Sequence, residues 1–547
     1  MHAHHQSNRR PGIARPLLWS LGLIAAAVTD LSGQTLHWYG ADSLLGGDNT
    51  WDTASAHWID DDGWRRRWSN SNDSTAVFAG TVGAPFTVTL ASNTTIDVNT
   101  LRFAADYTIA AGWYGSRLNL VGNTPSISVA EGITATTRVA LTGERVTLTG
   151  GGTWQLGDSH RLGDGLGLTI TESSTFALGS NSDTVGAVIL EAGRITGSGT
   201  LTTSAGFTLL SGTVDARLGG KDQTLYKTGD GTVRLNGANS YTGETAVLGG
   251  TLQLGGSHRI ANASALRVDG GSFSIGAFDE TLGAVTLVSG RIDGTTGTLT
   301  GSSYDLRSGF VTARLGGRAA LTKTTDGLVE LTGANHYTGA TNILGGDLRL
   351  TGSLARTTVT VQSGGTFSGS GTASKSRINV YGTIAPGTGG IGELTTGAEY
   401  WYGGGSYEWQ ISDALGVAGT DWDLLSLKGG LAINATASSP FTLEVIGLDS
   451  AGSVGPLAHF DNTRSYSWSL LQASSLSGFA ANKFNIDASA FASSNPLGGG
   501  AFSLTQTGNS LDLVFTPVPE PRVFAAALGI LTLGFVGLQR LRHRVVA

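Results

Sequence analysis

Between residues 148 and 397 the apolar residues return on a fixed beat. A glycine (once a serine), any residue and then a large apolar residue recur. The small residue falls at Gly152, Ser174, Gly193, Gly212, Gly231, Gly250, Gly271, Gly290, Gly309, Gly327, Gly346, Gly365 and Gly382. Most steps are 19 residues, and none is shorter than 17 or longer than 22. The apolar residue two places on runs Trp154, Phe176, Ile195, Val214, Val233, then Leu252, Phe273, Ile292, Val311, Val329, so the order of types nearly repeats in fives. A further inward position follows two residues later, from Leu156 to Leu331. Alternation with period two predicts short strands with one buried face, and glycine suits the turns between them.

The same order appears on a longer scale. Gly237-Ala-Asn-Ser-Tyr-Thr-Gly243 returns as Gly333-Ala-Asn-His-Tyr-Thr-Gly339, and Gly193-Arg-Ile195 as Gly290-Arg-Ile292. A unit of about 97 residues therefore holds five coils. One coil cannot bury its own apolar face, whereas stacked coils bury a continuous column. The predicted class is all-β, a parallel β-solenoid with coils about 4.8 Å apart. An antiparallel sandwich with regular turns is the competing architecture, and it gives no reason for so constant a step.

The flanks lose the beat in different ways. In residues 34–147 five of the twelve tryptophans fall close together, Trp38, Trp51, Trp58, Trp64 and Trp68. The first coil is an open sheet edge that has to be covered, so this segment reads as a Trp-rich β cap followed by the first coils. A carbohydrate platform is the second reading of the five rings, since exposed aromatics stack on sugar faces. Residues 398–516 alternate around Tyr400-Trp-Tyr402 and Ser406-Tyr-Glu-Trp-Gln-Ile411, and end in a hairpin turning at Gly508-Asn509. They predict a separate antiparallel lobe closing the far end.

Composition removes several kinds of chemistry. Glycine supplies 83 of 547 residues, charged residues are only 14%, and the net charge is −7. With no basic run outside the termini except Arg65–Arg67, which three aspartates accompany, nucleic acid is not an expected partner. The absence of cysteine excludes disulfides, thiol catalysis and thiolate metal sites. Asp60-Asp61-Asp62 beside Arg65-Arg66-Arg67 lacks the spaced ligands of a calcium loop and reads as a solvated turn. The histidines near Met1 read as incidental, so neither a metal nor a cofactor is expected.

Three constellations invite a site and are better read as structure. Ser159-His-Arg161 and Ser257-His-Arg259 offer a nucleophile and a base, but neighbours in a turn rarely face each other, and a copy in each repeat argues for a turn. Asn239 and Asn335, like Tyr241 and Tyr337, lie five coils apart, about 24 Å, so they form no ladder and are expected to hold turns and cover surfaces locally. Asp421 and Asp423 share one side of a strand, as a glycosidase pair would, without a second carboxylate pair or a cleft to support that role.

The stretch Lys227-Thr-Gly-Asp-Gly-Thr-Val-Arg-Leu-Asn-Gly-Ala-Asn-Ser-Tyr-Thr-Gly243, continuing to Leu254, closely resembles the autotransporter-associated β-strand repeat. The copy Lys323 to Leu350 departs from it at Thr325 and Leu328, where the family favours Gly and Thr. This resemblance implies a right-handed parallel β-helix of the kind found in passenger domains and surface proteins, and says little about activity.

Residues 1–33 read as a secretory signal, with Arg9, Arg10 and Arg15 ahead of an apolar core from Leu17 to Val28. They imply the Sec export machinery as a partner. At the other end Val518, Pro519, Glu520 and Pro521 precede an apolar run Val523–Leu538 and then Arg540, Arg542 and Arg544. Residues 517–547 thereby resemble a PEP-CTERM sorting signal. That resemblance implies a membrane helix with a cytoplasmic basic end, and cleavage near Pro519–Pro521 by an exosortase-type transpeptidase; a plain single-pass anchor is the alternative. The expected protein is an exported, non-enzymatic structural or adhesive rod of the cell surface or extracellular matrix. It would be held transiently in the inner membrane by its C-terminal helix, and exopolysaccharide is a candidate partner. A polysaccharide-binding or polysaccharide-degrading β-helix is the alternative.

Overall fold

The computed structural model describes residues 33–40, 46–80, 85–113 and 115–518. The chain winds as a parallel β-solenoid of about 16 turns. A full coil lays down three short strands, as in Phe207–Leu209, Gly212–Val214 and Arg217–Gly219. Each pairs in parallel with its counterpart in a neighbouring coil, for example Phe207 with Leu225 and Leu218 with Leu201. Two of the three faces run almost without a break. The third is interrupted where Asn239 and His258 occupy the corner instead of a strand. The alternating apolar residues all point inward, where Phe176, Ile195, Leu252 and Phe273 are fully buried.

The central column follows the 19-residue beat through Trp154↔Phe176, Phe176↔Ile195 and Ile195↔Val214, and again from Val233↔Leu252 to Ile292↔Val311. It slips twice. Val214 meets Leu235 rather than Val233, and Val311 meets Leu331 rather than Val329. A slip of two residues keeps every side chain on its own face, so the inward pattern survives. The slip falls at the same place in both long repeats, which makes it part of the repeat.

Some corners admit only glycine. Gly212 and Gly309 have φ of 118° and 125°, and a Cβ there would lie 2.3 Å from the carbonyl oxygen of Gly193 or Gly290 in the coil before. Positive φ and a backbone neighbour together exclude any side chain.

The C-terminal segment corrects the expected antiparallel lobe. Ile384, Tyr407, Leu443 and Ile486 stack on one another through parallel pairings, so the solenoid continues to Asp487 with progressively longer loops between its strands. Apart from isolated bridges, antiparallel pairing there belongs to the closing hairpin, Ala501–Thr507 with Ser510–Thr516, which covers the last coil by pairing with Tyr466–Gln472. At the other end the strand Thr35–Trp38 carries an antiparallel flap, Trp58–Ile59 and Arg65–Arg66, on one edge and joins the first coil in parallel on the other. Among the described residues no helix is long and apolar enough to cross a membrane. Residues 1–32 of the expected signal peptide, Pro519–Pro521, the apolar run Val523–Leu538 and Arg540, Arg542 and Arg544 lie outside the described residues.

Candidate functional site

The tryptophan platform is a packed cap. Trp38, Trp51, Trp58 and Trp68 are all buried, with ring centroids 4.9–5.0 Å apart along the cluster and mostly edge-to-face. Phe78 of the first coil closes it from below, 5.7 Å from Trp51 and Trp58. Edge-to-face packing sets the positive rim of one ring against the negative face of the next. Four of the five rings therefore meet each other rather than a sugar, which corrects the carbohydrate reading for them. Trp64 alone is exposed, at 68%.

The Ser-His-Arg copies are equivalent corners. His160 and His258 take φ of 55° and 54°, and the Ser159 and Ser257 hydroxyls each accept the backbone N–H of the next coil, from Ser182 and Asp279, at 3.1 Å. The following backbone N–H, of Arg161 or Arg259, donates to a buried carboxylate one coil on, Asp183 or Glu280, both at 2.7 Å. Neither serine faces its histidine as a nucleophile faces a base. The carboxylates recur at the long-repeat spacing, a signal the sequence carried and that motif reading passed over.

Asn239 does more than hold its own turn. Its Oδ1 accepts the N–H of Leu218 in the coil before, and its Nδ2 donates to the carbonyl of Arg259 in the coil after, both at 2.8 Å. Asn335 accepts from Leu315 at 3.0 Å and donates locally to Gly333. The asparagines are therefore staples between coils, filling the gap in the third face. Tyr241 and Tyr337 are buried rather than surface lids, and each hydroxyl shares a 2.8 Å hydrogen bond with Thr245 or Thr341.

Other interior polar groups follow the same rule. Asp423 is fully buried and accepts the backbone N–H groups of Gly392 and Gln410, whereas Asp421 accepts from Val417 in an exposed turn. They serve different backbones and form no catalytic pair. Glu399 lies in the core, taking the Thr396 hydroxyl at 2.6 Å and the Trp401 indole N–H at 2.7 Å. With no cation beside it, burial pushes this carboxyl up to about 7, and burial does the same to Glu280. Among the described residues no group of three or more His, Asp or Glu is placed to hold a metal ion.

A raised carboxyl has a defined consequence for stability. The folded chain keeps the Glu399 proton up to about pH 7, whereas the unfolded chain releases it near 4.5. The contribution is fully present below pH 4.5 and is lost as pH rises through 7, because the folded state then holds a buried charge. Glu399→Gln is expected to flatten the fall of Tm across this window, with Glu280 keeping part of the slope. An unchanged Tm–pH curve in the variant rejects the assignment.

Two comparisons with known proteins agree with this geometry. Residues 225–254 and 321–350 match the passenger-associated-transport-repeat model. Over 314 residues, 54% of this chain, the sequence is 30% identical to the adhesin BmaC autotransporter of Brucella suis biovar 1 (strain 1330). The chain spans 8% of that relative's length. The rod is thus similar to an autotransporter adhesin and carries two copies of a passenger repeat.

Proposed function

We propose that the chain is an exported, non-enzymatic adhesive rod of the bacterial surface or its surrounding matrix. The observation that carries this reading is the similarity to an autotransporter adhesin, which spans 54% of the chain. The side-chain chemistry supports it. Where a polar residue recurs from repeat to repeat, as with Asn239 and Asn335 or Ser159 and Ser257, it binds the backbone of a neighbouring coil instead of facing a shared cleft. An enzyme needs acids and bases that break the repeat on one face of a few coils.

The proposal includes its route. Residues 1–33 direct the chain to the Sec machinery, and the apolar run Val523–Leu538 holds it briefly in the inner membrane with its arginines inside. An exosortase-type transpeptidase then cuts near Pro519-Glu520-Pro521 and passes the rod to the surface. Mass spectrometry of the C-terminus, on cell and secreted fractions, tests this. A surface form ending close to Pro521 is expected, and a surface form that still ends at Ala547 sinks the sorting proposal.

A further inference from the structure

Several arginines on or beside the strands of this rod are neutralised on the spot. Arg194 pairs with Asp215 at 2.6 Å, Arg307 with Asp305 at 2.8 Å and Arg291 with Asp293 at 3.1 Å. Elsewhere among the described residues arginines such as Arg102 and Arg217 stand without an ion pair, and one corner gathers several such cations together. Arg356, Lys375, Arg377 and Lys428 are exposed, and among the described residues no carboxylate lies within ion-pairing distance of any of them. They are distant in sequence but come together because Arg356, Lys375 and Lys428 mark the same corner in different coils. Ser376 bonds back to Ala355 across one step, and the N–H groups of Lys428 and Gly429 donate to Thr396 and Gly397 across another.

The corner is also concave. The coil between Lys375 and Lys428 presents Gly397 and Ala398, so little side chain fills the space. Gly397 cannot be replaced there, because a Cβ would lie 2.0 Å from the Ser376 carbonyl oxygen. The result is a cleft of about 550 Å³ with no acidic residue in its lining. Thr338, Thr358 and Ser374 share this lining with the cations. In a chain of net charge −7 this is a local reversal of sign.

We propose that this corner binds an acidic polysaccharide, with its carboxylates over Arg356, Lys375 and Lys428 and its hydroxyls on the neighbouring Thr and Ser. Arg356 and Lys375 stand one coil step apart, about 4.8 Å, and Lys428 two steps further on, about 10 Å. The spacings are close to the advance of one and two sugars in an extended chain, so charge meets charge along the groove. Single-stranded nucleic acid fits less well, because its binding needs open aromatic faces for the bases. The lining of the cleft holds no aromatic residue, and Tyr400 beside it is covered by the Arg377 guanidinium at 3.9 Å from its centroid. The proposal deepens the adhesive reading and takes its biological setting from it.

Affinity electrophoresis of the full-length chain tests it, in gels containing polygalacturonate, dextran or oligothymidine. The expected result is retardation by polygalacturonate that weakens with added salt, and none by dextran. The combined variant Arg356→Gln, Lys375→Gln, Lys428→Gln should lose affinity by at least about tenfold. The charge-keeping variant Arg356→Lys, Lys375→Arg, Lys428→Arg should retain it, which separates loss of charge from loss of fold. Undiminished retardation of the Gln variant, equal binding to dextran, or tighter binding to oligothymidine each overturns the proposal. Attachment of cells to a polysaccharide-free surface reads the adhesive function alone, so the two claims fail separately.

Discussion

Replacing Trp58 by Ala is expected to open the first coils of the rod and leave its middle folded. Trp58 touches every member of the cap, with centroids 4.9 Å from Trp68, 5.0 Å from Trp38 and Trp51, and 5.7 Å from Phe78. Truncating a fully buried aromatic costs about 3–5 kcal/mol, through lost burial and the cavity left behind. In a solenoid each coil meets only its neighbours, so the loss stays local. Hydrogen exchange followed by mass spectrometry should show lost protection over residues 34–111, with protection retained across residues 148–397. Trp64→Ala is the control, since its ring is 68% exposed and its removal should change stability by less than about 0.5 kcal/mol. Equal protection in wild type and Trp58→Ala would show that the cap does not seal the edge.

The cap and the column illustrate how far the sequence could be read. The 19-residue beat was legible because a parallel stack demands an inward apolar residue at each step, as Trp154, Phe176 and Ile195 supply. The slip at Val214 and Val311 was not. Moving two residues preserves the face, so the pattern is the same with or without it. Alternation around Tyr407 and Trp409 was read as an antiparallel lobe, yet these strands continue the parallel stack. Alternation reports which side of a strand is buried and says nothing about the direction of its partner.

Side-chain roles were legible where they act within one turn and hidden where they act between coils. Asn239 looked like a turn residue, and its two hydrogen bonds run to different coils. The same holds for charge. Arg356, Lys375 and Lys428 lie far apart in the sequence, and the cation-rich corner arises only when the winding brings them to one edge. Surface chemistry on a solenoid is written at the coil step, so a window along the chain does not see it.

The buried lysines provide the second large effect. Lys227 is fully buried, at an inward position between Leu209 and Val247, where the pattern calls for an apolar residue. Its stem fills the column, and its Nζ turns to the corner and donates to the carbonyls of Thr228 at 2.6 Å, Gly229 at 2.9 Å and Gly249 of the next coil at 2.9 Å. Lys323 repeats the arrangement with Thr325 and Gly345. Burial holds both amines below their usual range. Lys227→Ala removes stem and amine together and is expected to cost about 3–5 kcal/mol, from the cavity and the abandoned carbonyls. Lys227→Met restores most of the stem, so its cost should fall to about 1–3 kcal/mol, the part owed to the hydrogen bonds. Lys323→Met should behave alike, because the corner is the same structure one long repeat later. Urea unfolding and local exchange protection over residues 207–268 measure both. If Lys227→Met proves as stable as wild type, the amine does not tie the two coils together and the lysine is an aliphatic filler. If the two substitutions cost the same, the stem contributes nothing, and the corner is held by the cation alone.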